Sequence, residues 1–140
     1  MPETGSKEQV RDLLREAGLR PTRQRLALAE ILFAKGDRHL TAEALHEEAL
    51  AAAVPVSLAT VYNTLHQFTD AGLLREVAVE GSKTYFDTNT SNHYHFYCDR
   101  DGVLMDIPVG ELTVDGLPDP PEGMEISRID VLVHLSDKRR

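Results

Sequence analysis

The chain has 140 residues, 41% of them apolar, which is enough for one domain or for two small domains with a hydrophobic core. Its single cysteine, Cys98, excludes an internal disulfide and a cysteine-based zinc knuckle. No apolar run approaches the roughly 18 residues that a membrane helix needs, and the N-terminus carries no secretory signal pattern. We therefore expect a cytoplasmic protein with no membrane partner.

The net charge of −8 is unevenly distributed along the chain. Residues 1–75 contain nine Lys and Arg against ten Asp and Glu, whereas residues 76–140 contain six against thirteen. Arginines recur near the start, where few acidic side chains oppose them: Arg11, Arg15, Arg20, Arg23 and Arg25. A protein that is acidic overall can still present such a basic face to the phosphates of a nucleic acid.

Three helices are predicted over residues 7–17, 22–34 and 41–53, because apolar residues recur there at helical spacing. Thr22 and Thr41 are suitable N-caps for the second and third of them. A short turn then leads from the third helix into a fourth, and two helices joined in this way form a helix-turn-helix pair.

The fourth predicted helix, over residues 57–72, has an unusual outer face. Ser57 is a suitable N-cap and Gly72 a suitable C-terminal stop. The stripe predicted to be buried consists of Leu58, Val61, Leu65 and Phe68. The opposite face carries small, hydrogen-bonding side chains with almost no charge: Ala59, Thr60, Asn63, His66 and Gln67, flanked by Tyr62. Such side chains suit contact with base edges in the major groove of DNA; an ordinary amphipathic helix is the alternative.

Beyond Gly72 the apolar period changes from 3.6 to 2, which predicts a β-hairpin over residues 74–87 with its turn at Gly81 and Ser82. Lys83, close to this turn, is suited to contact the DNA backbone. Helices followed by such a hairpin, or wing, form a winged helix.

The rest of the chain is predicted to be a second, strand-rich unit after a polar linker over residues 88–92. Its predicted strands span residues 93–98, 103–107 and 125–135. A unit of this size has a small core and exposes strand edges, so we expect it to form a homodimer. The predicted fold class is α+β, with an N-terminal winged-helix DNA-binding domain over residues 1–87 and a small α/β dimerisation domain over residues 93–140.

Four residues around the predicted domain boundary have the chemistry of metal ligands. His93 and His95, at i and i+2 on a strand, point to the same side, so one metal can bind both imidazoles. Asp87 can add a carboxylate, and His39 a third nitrogen. This set suits divalent iron or manganese, with zinc as a further option. For each histidine taken alone, an ordinary surface or core position is the alternative.

Five blocks of the sequence resemble the ferric uptake regulator (Fur) family and follow the family's order. They are LRPTRQR from residue 19, GDRHLTAEALHEEA from residue 36, VSLATVYNTLHQFTDAGLL from residue 56, GSKTYFDT from residue 81 and NHYHFYC from residue 92. The match extends over about residues 10–135. The resemblance implies a dimeric transcription regulator that binds double-stranded operator DNA and is not an enzyme.

The resemblance also implies roles for particular residues. It places Tyr62 and residues 20–25 at DNA. Together with the helix and the wing, this predicts the DNA-binding set Arg20, Arg23, Arg25, Ala59, Thr60, Tyr62, Asn63, His66 and Lys83. The resemblance further implies a regulatory metal bound by His39, Asp87, His93 and His95, with Asp87 at a position that is often Glu.

The sequence also departs from the family pattern. The structural zinc of the family uses two CxxC pairs, but here Asp101 follows Cys98 at i+3 and the C-terminal SDKRR contains no cysteine. We therefore predict no cysteine-bound structural zinc. Asn92 and Tyr94 stand where a second metal site of many members needs His and Asp, so we predict that this site is lost, although His134 matches one of its ligands.

The chain is most similar to the iron response regulator (Irr) branch of the family, which senses haem. It resembles this branch in these losses, in the GMEIS segment and in the Pro-rich loop. The resemblance to this branch makes His93, Tyr94 and His95 candidate haem ligands, with Tyr94 as an oxygen ligand for ferric haem. The branch typically has three consecutive histidines at this point.

Three hypotheses follow. The first is an Irr-like regulator of iron and haem metabolism genes that responds to iron or haem. The second is a Fur-type sensor of ferrous iron, manganese or peroxide with the same four ligands. The third is a small non-haem iron enzyme, because two histidines and a carboxylate resemble a facial triad. The direction of the response and the pairing of dimers into tetramers stay open.

Overall fold

A computed structural model describes residues 7–79 and 83–138 of the chain. The chain divides into two compact units, Met1–Thr90 and Ser91–Arg140, which we call the N-terminal unit and the C-terminal unit. The division falls inside the segment 88–92 that the sequence predicts as a linker.

The N-terminal unit begins with four helices: α1 (Lys7–Glu16), α2 (Arg23–Phe33), α3 (Ala42–Ala51) and α4 (Leu58–Asp70). Thr22, Thr41 and Ser57 are the N-caps of the last three, and each side-chain oxygen accepts a hydrogen bond from a backbone N–H of the first turn. All four predicted helices are confirmed. No helix in the described part of the chain is long and apolar enough to cross a membrane.

The core of the N-terminal unit lies between these helices. Val10 and Leu14 of α1 and Leu28 and Leu32 of α2 are completely buried. In α4, Val61, Leu65 and Phe68 are also completely buried, while Leu58 packs at the edge of the same core. The predicted apolar stripe therefore holds α4 against α3, and the opposite face of α4 is left toward solvent.

A three-stranded antiparallel sheet completes the N-terminal unit. Its strands are β1 (His39–Leu40), β2 (Arg75–Ala78) and β3 (Thr84–Asp87), in the order β1-β3-β2. Strands β2 and β3 form the predicted hairpin; its predicted turn at Gly81 and Ser82 lies outside the described residues. The sequence did not predict β1, because two residues are too few to show a strand period.

The C-terminal unit contains a second three-stranded sheet with β4 (His95–Cys98) at its centre. Strand β5 (Val103–Asp106) pairs antiparallel with β4, and β6 (Leu132–Leu135) pairs parallel with it. The strand predicted over residues 125–135 is thus reduced to its last four residues. The described residues of this unit include no helix, so the helices of the α+β fold lie in the N-terminal unit.

Candidate functional site

The outward face of α4 is polar and accessible. Ala59, Asn63, His66 and Gln67 are exposed, and Thr60 is half-buried. Two of the predicted DNA-binding residues on this helix, Tyr62 and His66, stack with their ring centroids 6.3 Å apart. The fold therefore leaves open to solvent the face that the sequence predicts for base contacts.

The Tyr62 hydroxyl donates a hydrogen bond of 3.0 Å to the Glu43 carboxylate of α3. This bond, and to a smaller extent burial and the negative charge of Glu43, raise the pKa of Tyr62 above its usual value. The phenol therefore stays protonated at neutral pH and links the two helices of the helix-turn-helix pair.

A polar cleft of about 320 Å³ adjoins this face. Its lining comes from the segment before α2, from the first turn of α2 and from α4: Arg20, Thr22, Gln24, Arg25, Thr60, Asn63, Thr64 and Gln67. The structure thus brings two of the predicted arginines next to the outward face of α4. Arg23 and Lys83 are exposed but do not line this cleft.

Two of the predicted metal ligands are neighbours in the N-terminal unit. In the pairing of β1 with β3, His39 lies directly opposite Asp87. Paired residues of an antiparallel ladder project to the same face of the sheet. Asp87 is 1% exposed, and one of its oxygens accepts a hydrogen bond of 2.9 Å from the backbone N–H of Asn89.

The C-terminal unit brings together His93, His95 and Asp106, which we call the His-Asp cluster. His95 of β4 lies directly opposite Asp106 of β5. The Nε2 atoms of His93 and His95 lie 3.6 and 3.3 Å from the same Asp106 oxygen, Oδ1. Each of the three residues offers a ligand atom within 4.8 Å of the other two. These distances allow one metal ion to contact all three side chains.

The burial and hydrogen bonding of His93 are those of a candidate metal ligand. Its Nδ1 lies 2.8 Å from the carbonyl oxygen of Ser91, and because a carbonyl oxygen only accepts, Nδ1 carries the hydrogen. The neutral ring then has its lone pair on Nε2, which faces the Asp106 carboxylate. A histidine that ligates a metal has this arrangement, with its second nitrogen donating to a backbone carbonyl. Two imidazole nitrogens and one carboxylate oxygen fit a divalent transition metal.

The other residues considered for metal or haem have different surroundings. Among the described residues, no group of three or more potential metal ligands includes Cys98 or His134. His134 Nδ1 lies 3.0 Å from an Asp99 oxygen, and Cys98 Sγ lies 3.6 Å from an Asp101 oxygen. Tyr94 lines a cavity of only about 60 Å³.

Sequence reasoning missed Asp106, although a signal for it existed. The predicted strands over 93–98 and 103–107 are joined by four residues, so a simple hairpin register places residue 106 opposite residue 95. Considering this pairing together with the HxH pattern would have added the carboxylate to the ligand set.

The comparisons with known proteins identify the family. Residues 16–115, more than half of the chain, match the sequence profile of the ferric uptake regulator family. The chain belongs to the Fur family. The peroxide-responsive repressor PerR of Staphylococcus aureus (strain Mu50) is 39% identical over 100 residues, which are 71% of this chain and 66% of that protein. The match thus spans slightly less than two thirds of that relative's length.

Solved structures of Fur proteins share the fold. The ferric uptake regulator from Pseudomonas aeruginosa with manganese has a TM-score of 0.70 and 24% identity, over 91% of this chain and 97% of that one. The Vibrio cholerae ferric uptake regulator has a TM-score of 0.69 and 24% identity, over 91% and 98%. These likenesses confirm the predicted α+β fold class.

Fur-family proteins are transcription regulators and not enzymes. Family membership therefore confirms the prediction that this chain is not an enzyme and removes the hypothesis of a non-haem iron enzyme.

Proposed function

We propose that the chain is a metal-dependent transcription regulator that binds operator DNA as a homodimer. The observation that carries the proposal is the His-Asp cluster, whose two imidazoles are each only 4% exposed and share one carboxylate oxygen. In a member of the Fur family, such a cluster supports regulation by a bound metal. The polar face of α4 and the arginines of the adjoining cleft supply the DNA-binding surface.

The proposed metal is divalent iron or manganese. Nitrogen and carboxylate ligands suit both, and they also accept zinc. The proposal keeps His39 and Asp87, which the family resemblance implies as further ligands. When bound, ferrous iron would supply one-electron chemistry toward peroxide. His93, His95 and Asp106 would hold the ion, and the Ser91 carbonyl would orient the His93 imidazole.

We infer that the signal is the metal together with peroxide, in preference to haem. The Staphylococcus aureus relative is named a peroxide-responsive repressor. The candidate haem ligands His93 and His95 are buried and face Asp106. The cavity beside the third, Tyr94, is far below the roughly 300–1,000 Å³ of sites for larger ligands. The metal and peroxide hypothesis therefore has more support than the Irr-like one.

Exposed apolar side chains on the C-terminal unit support the homodimer. Outside this unit, Leu50 is the one large apolar residue that is strongly exposed in the described part of the chain. Those of the C-terminal unit are Val103, Met105, Val109, Val114, Leu117, Met124 and Ile126. Apolar surface of this kind marks protein–protein contacts. A twofold dimer would read two half-sites of a palindromic operator. A tetramer is not part of the proposal.

The test begins with metal-free full-length protein, loaded in the absence of oxygen with ferrous iron, manganese or haem. Gel shifts on a duplex selected by the protein from a random pool measure DNA binding, and absorbance monitors haem. We expect the iron form to lose DNA binding after peroxide, with one oxygen atom added at His39 or His93 in mass spectra. The manganese form should keep its DNA binding.

The matched variants are His93→Ala and His134→Ala, two histidine substitutions in the same unit. The first should abolish the metal response, and the second should retain it. A Soret band that disappears in His93→Ala, coupled to loss of DNA binding, would instead select the Irr-like function. Absence of a metal effect on DNA binding in the unsubstituted protein would overturn the proposal.

A further inference from the structure

Gln67 of α4 is held in place across the polar cleft by Arg25 of α2. The guanidinium Nε and Nη2 of Arg25 lie 3.2 and 3.0 Å from the same atom, the side-chain oxygen of Gln67. The two residues are 42 positions apart in the chain. The sequence places Gln67 on the face suited to base edges, although not in the predicted DNA-binding set, and gives no sign of its contact with Arg25.

The chemistry of the guanidinium determines which way the amide of Gln67 points. The guanidinium of Arg25 only donates hydrogen bonds and cannot accept them. The atom of the Gln67 amide that faces it therefore has to be the oxygen. A flipped amide would direct its own N–H groups at those of Arg25. The Gln67 NH₂ group therefore faces away from Arg25, and the oxygen is already occupied by two donors.

Arg25 is itself held firmly. Its backbone N–H donates to the N-cap oxygen of Thr22, and its Nη1 donates to the carbonyl oxygen of Arg20 at 3.0 Å. No acidic side chain pairs with Arg25 among the described residues, and two of its five side-chain N–H groups are left for other acceptors. Arg25 can thus contact a phosphate without releasing Gln67.

We propose that Gln67 contacts operator DNA as a donor only, through its NH₂ group, to a single acceptor atom. This inference rests on the proposed function, namely that the outward face of α4 binds DNA. The two-bond contact of a glutamine with adenine needs the amide oxygen to accept from N6 and the amide nitrogen to donate to N7. Because Arg25 occupies the oxygen, Gln67 cannot make this adenine contact. We assign its acceptor to a purine N7, which adenine and guanine share, or to a phosphate oxygen. A preference of Gln67 for guanine O6 or thymine O4, the other major-groove acceptors, would contradict that assignment.

Asn63 provides the contrast within the same helix. It lies four residues before Gln67, which places it on the same face one turn earlier. Its side chain is exposed and has no hydrogen-bond partner among the described residues. Both its oxygen and its nitrogen are thus available, so Asn63 is able to make the two-bond adenine contact that Gln67 does not make.

The experiment compares Gln67→Ala with Asn63→Ala in the full-length, manganese-loaded protein. The probe is a duplex that the unsubstituted protein selects from a random pool, together with a series in which each A·T pair is replaced by G·C. Asn63→Ala should lose a preference for adenine of about ten-fold or more at one position. Gln67→Ala should bind every duplex of the series more weakly, by a similar factor, without loss of adenine preference.

Two further probes identify the acceptor. If it is a purine N7, a 7-deazapurine at one position weakens the unsubstituted protein but not Gln67→Ala. If it is a phosphate oxygen, a methylphosphonate linkage at one position weakens binding of the unsubstituted protein but not of Gln67→Ala. Gln67→Ala and Asn63→Ala both change exposed side chains, so little effect on stability is expected. Melting temperatures equal to that of the unsubstituted protein would show that both variants fold.

A third variant tests the role of Arg25 directly. Arg25→Met removes the two donors that occupy the Gln67 oxygen, so the released amide should gain a preference for adenine over guanine. The inference is wrong if Gln67→Ala abolishes an adenine preference, or if it changes neither affinity nor specificity. Failure of the unsubstituted, metal-loaded protein to select any duplex would instead remove the proposed function, and this inference with it.

Discussion

At the scale of single residues, the surroundings of the candidate metal ligands His93 and His95 differ from those of His134 and His46. His93 and His95 have buried rings that face a shared carboxylate, whereas His134 is 39% exposed on its side chain and pairs with Asp99. His46 uses Nε2, the nitrogen that His93 directs at Asp106, for a contact of 3.1 Å with the carbonyl oxygen of Val56. Residue type alone does not make these distinctions, because they depend on which nitrogen has a lone pair and where it points.

The Asp106 carboxylate should be essential for metal affinity. Asp106→Asn keeps the shape of the side chain but removes the negative charge that two imidazoles face. We expect manganese affinity, measured by calorimetric titration, to fall by at least about 100-fold, because outer-shell partners of ligands already contribute about 10- to 100-fold and Asp106 is a candidate direct ligand. Asp101→Asn is the matched control, because its side chain is equally exposed, at 50%. Equal affinities of the two variants would contradict the assignment of Asp106.

The hydrogen bond between Tyr62 and Glu43 should be visible in a pH titration. Because this bond raises the pKa of Tyr62 in the folded state, its stabilising effect is complete below the unfolded pKa of about 10 and is lost as the pH rises through the folded value. Glu43→Gln should lower the pKa of Tyr62, since a neutral amide is a weaker acceptor. The absorbance of the tyrosine phenolate, followed as the pH rises, measures the difference between variant and unsubstituted protein. Superimposable titration curves would rule the effect out.

Each helix that presents a candidate functional residue begins at a hydroxyl cap. Thr41 caps α3 directly after strand β1, which contains the candidate ligand His39, and Ser57 caps α4 directly before the candidate DNA-contact face. The caps satisfy backbone donors that would otherwise lack a partner, and they determine where the chain turns from loop to helix. The position of His39 next to Thr41 is therefore tied to the start of α3.

Removing one of these caps should weaken the N-terminal unit by a predictable amount. Thr41→Ala loses the bond of 3.2 Å from the Ala44 N–H to the threonine oxygen. We expect the free energy of unfolding to fall by about 1 kcal/mol, measured by urea denaturation. Thr90→Ala is a control, since Thr90 is exposed and caps no helix. A loss equally large in both variants would show that the cap contributes nothing specific.

The two units of the whole molecule differ in how they are stabilised. The hydrophobic core cluster consists of residues of the N-terminal unit. In the C-terminal unit, Leu104 and Ile107 are the buried apolar residues in the described range, and most residues of its long loop are exposed. A unit with so small a core depends on covering its apolar surface, which is the physical reason to expect a partner chain.

Charge placed on that apolar surface should prevent dimer formation. Val103 and Met105 lie two residues apart on β5, so they share a face, and they are 45% and 39% exposed. Changing both to Glu should shift the protein from dimer to monomer in sedimentation velocity, because charge at the centre of an apolar interface is unfavourable. The control is Leu50→Glu, on an exposed apolar residue of the other unit. A dimer that persists in the double variant would exclude this face of β5 from the interface.

Much of the N-terminal unit could be predicted because its signals are local. The caps Thr22, Thr41 and Ser57 and the stripe of α4 act within a few residues along the chain, so pattern and propensity suffice to find them. Strand β1 escaped prediction because its two residues form a strand only by pairing with β3. The strand predicted to start at residue 125 was too long, because irregular apolar spacing does not reveal where pairing with β4 begins.

The sequence by itself determined the family, the helices, the polar face of α4 and the HxH pair, since each is written in residues close together along the chain. Only the tertiary structure decided which of the possible strand pairings brings Asp106 to His93 and His95, and that Arg25 occupies the oxygen of Gln67. These contacts join residues that are distant in sequence, and their hydrogen-bond direction depends on geometry. Residue types show which contacts are possible, whereas the fold determines which of them form.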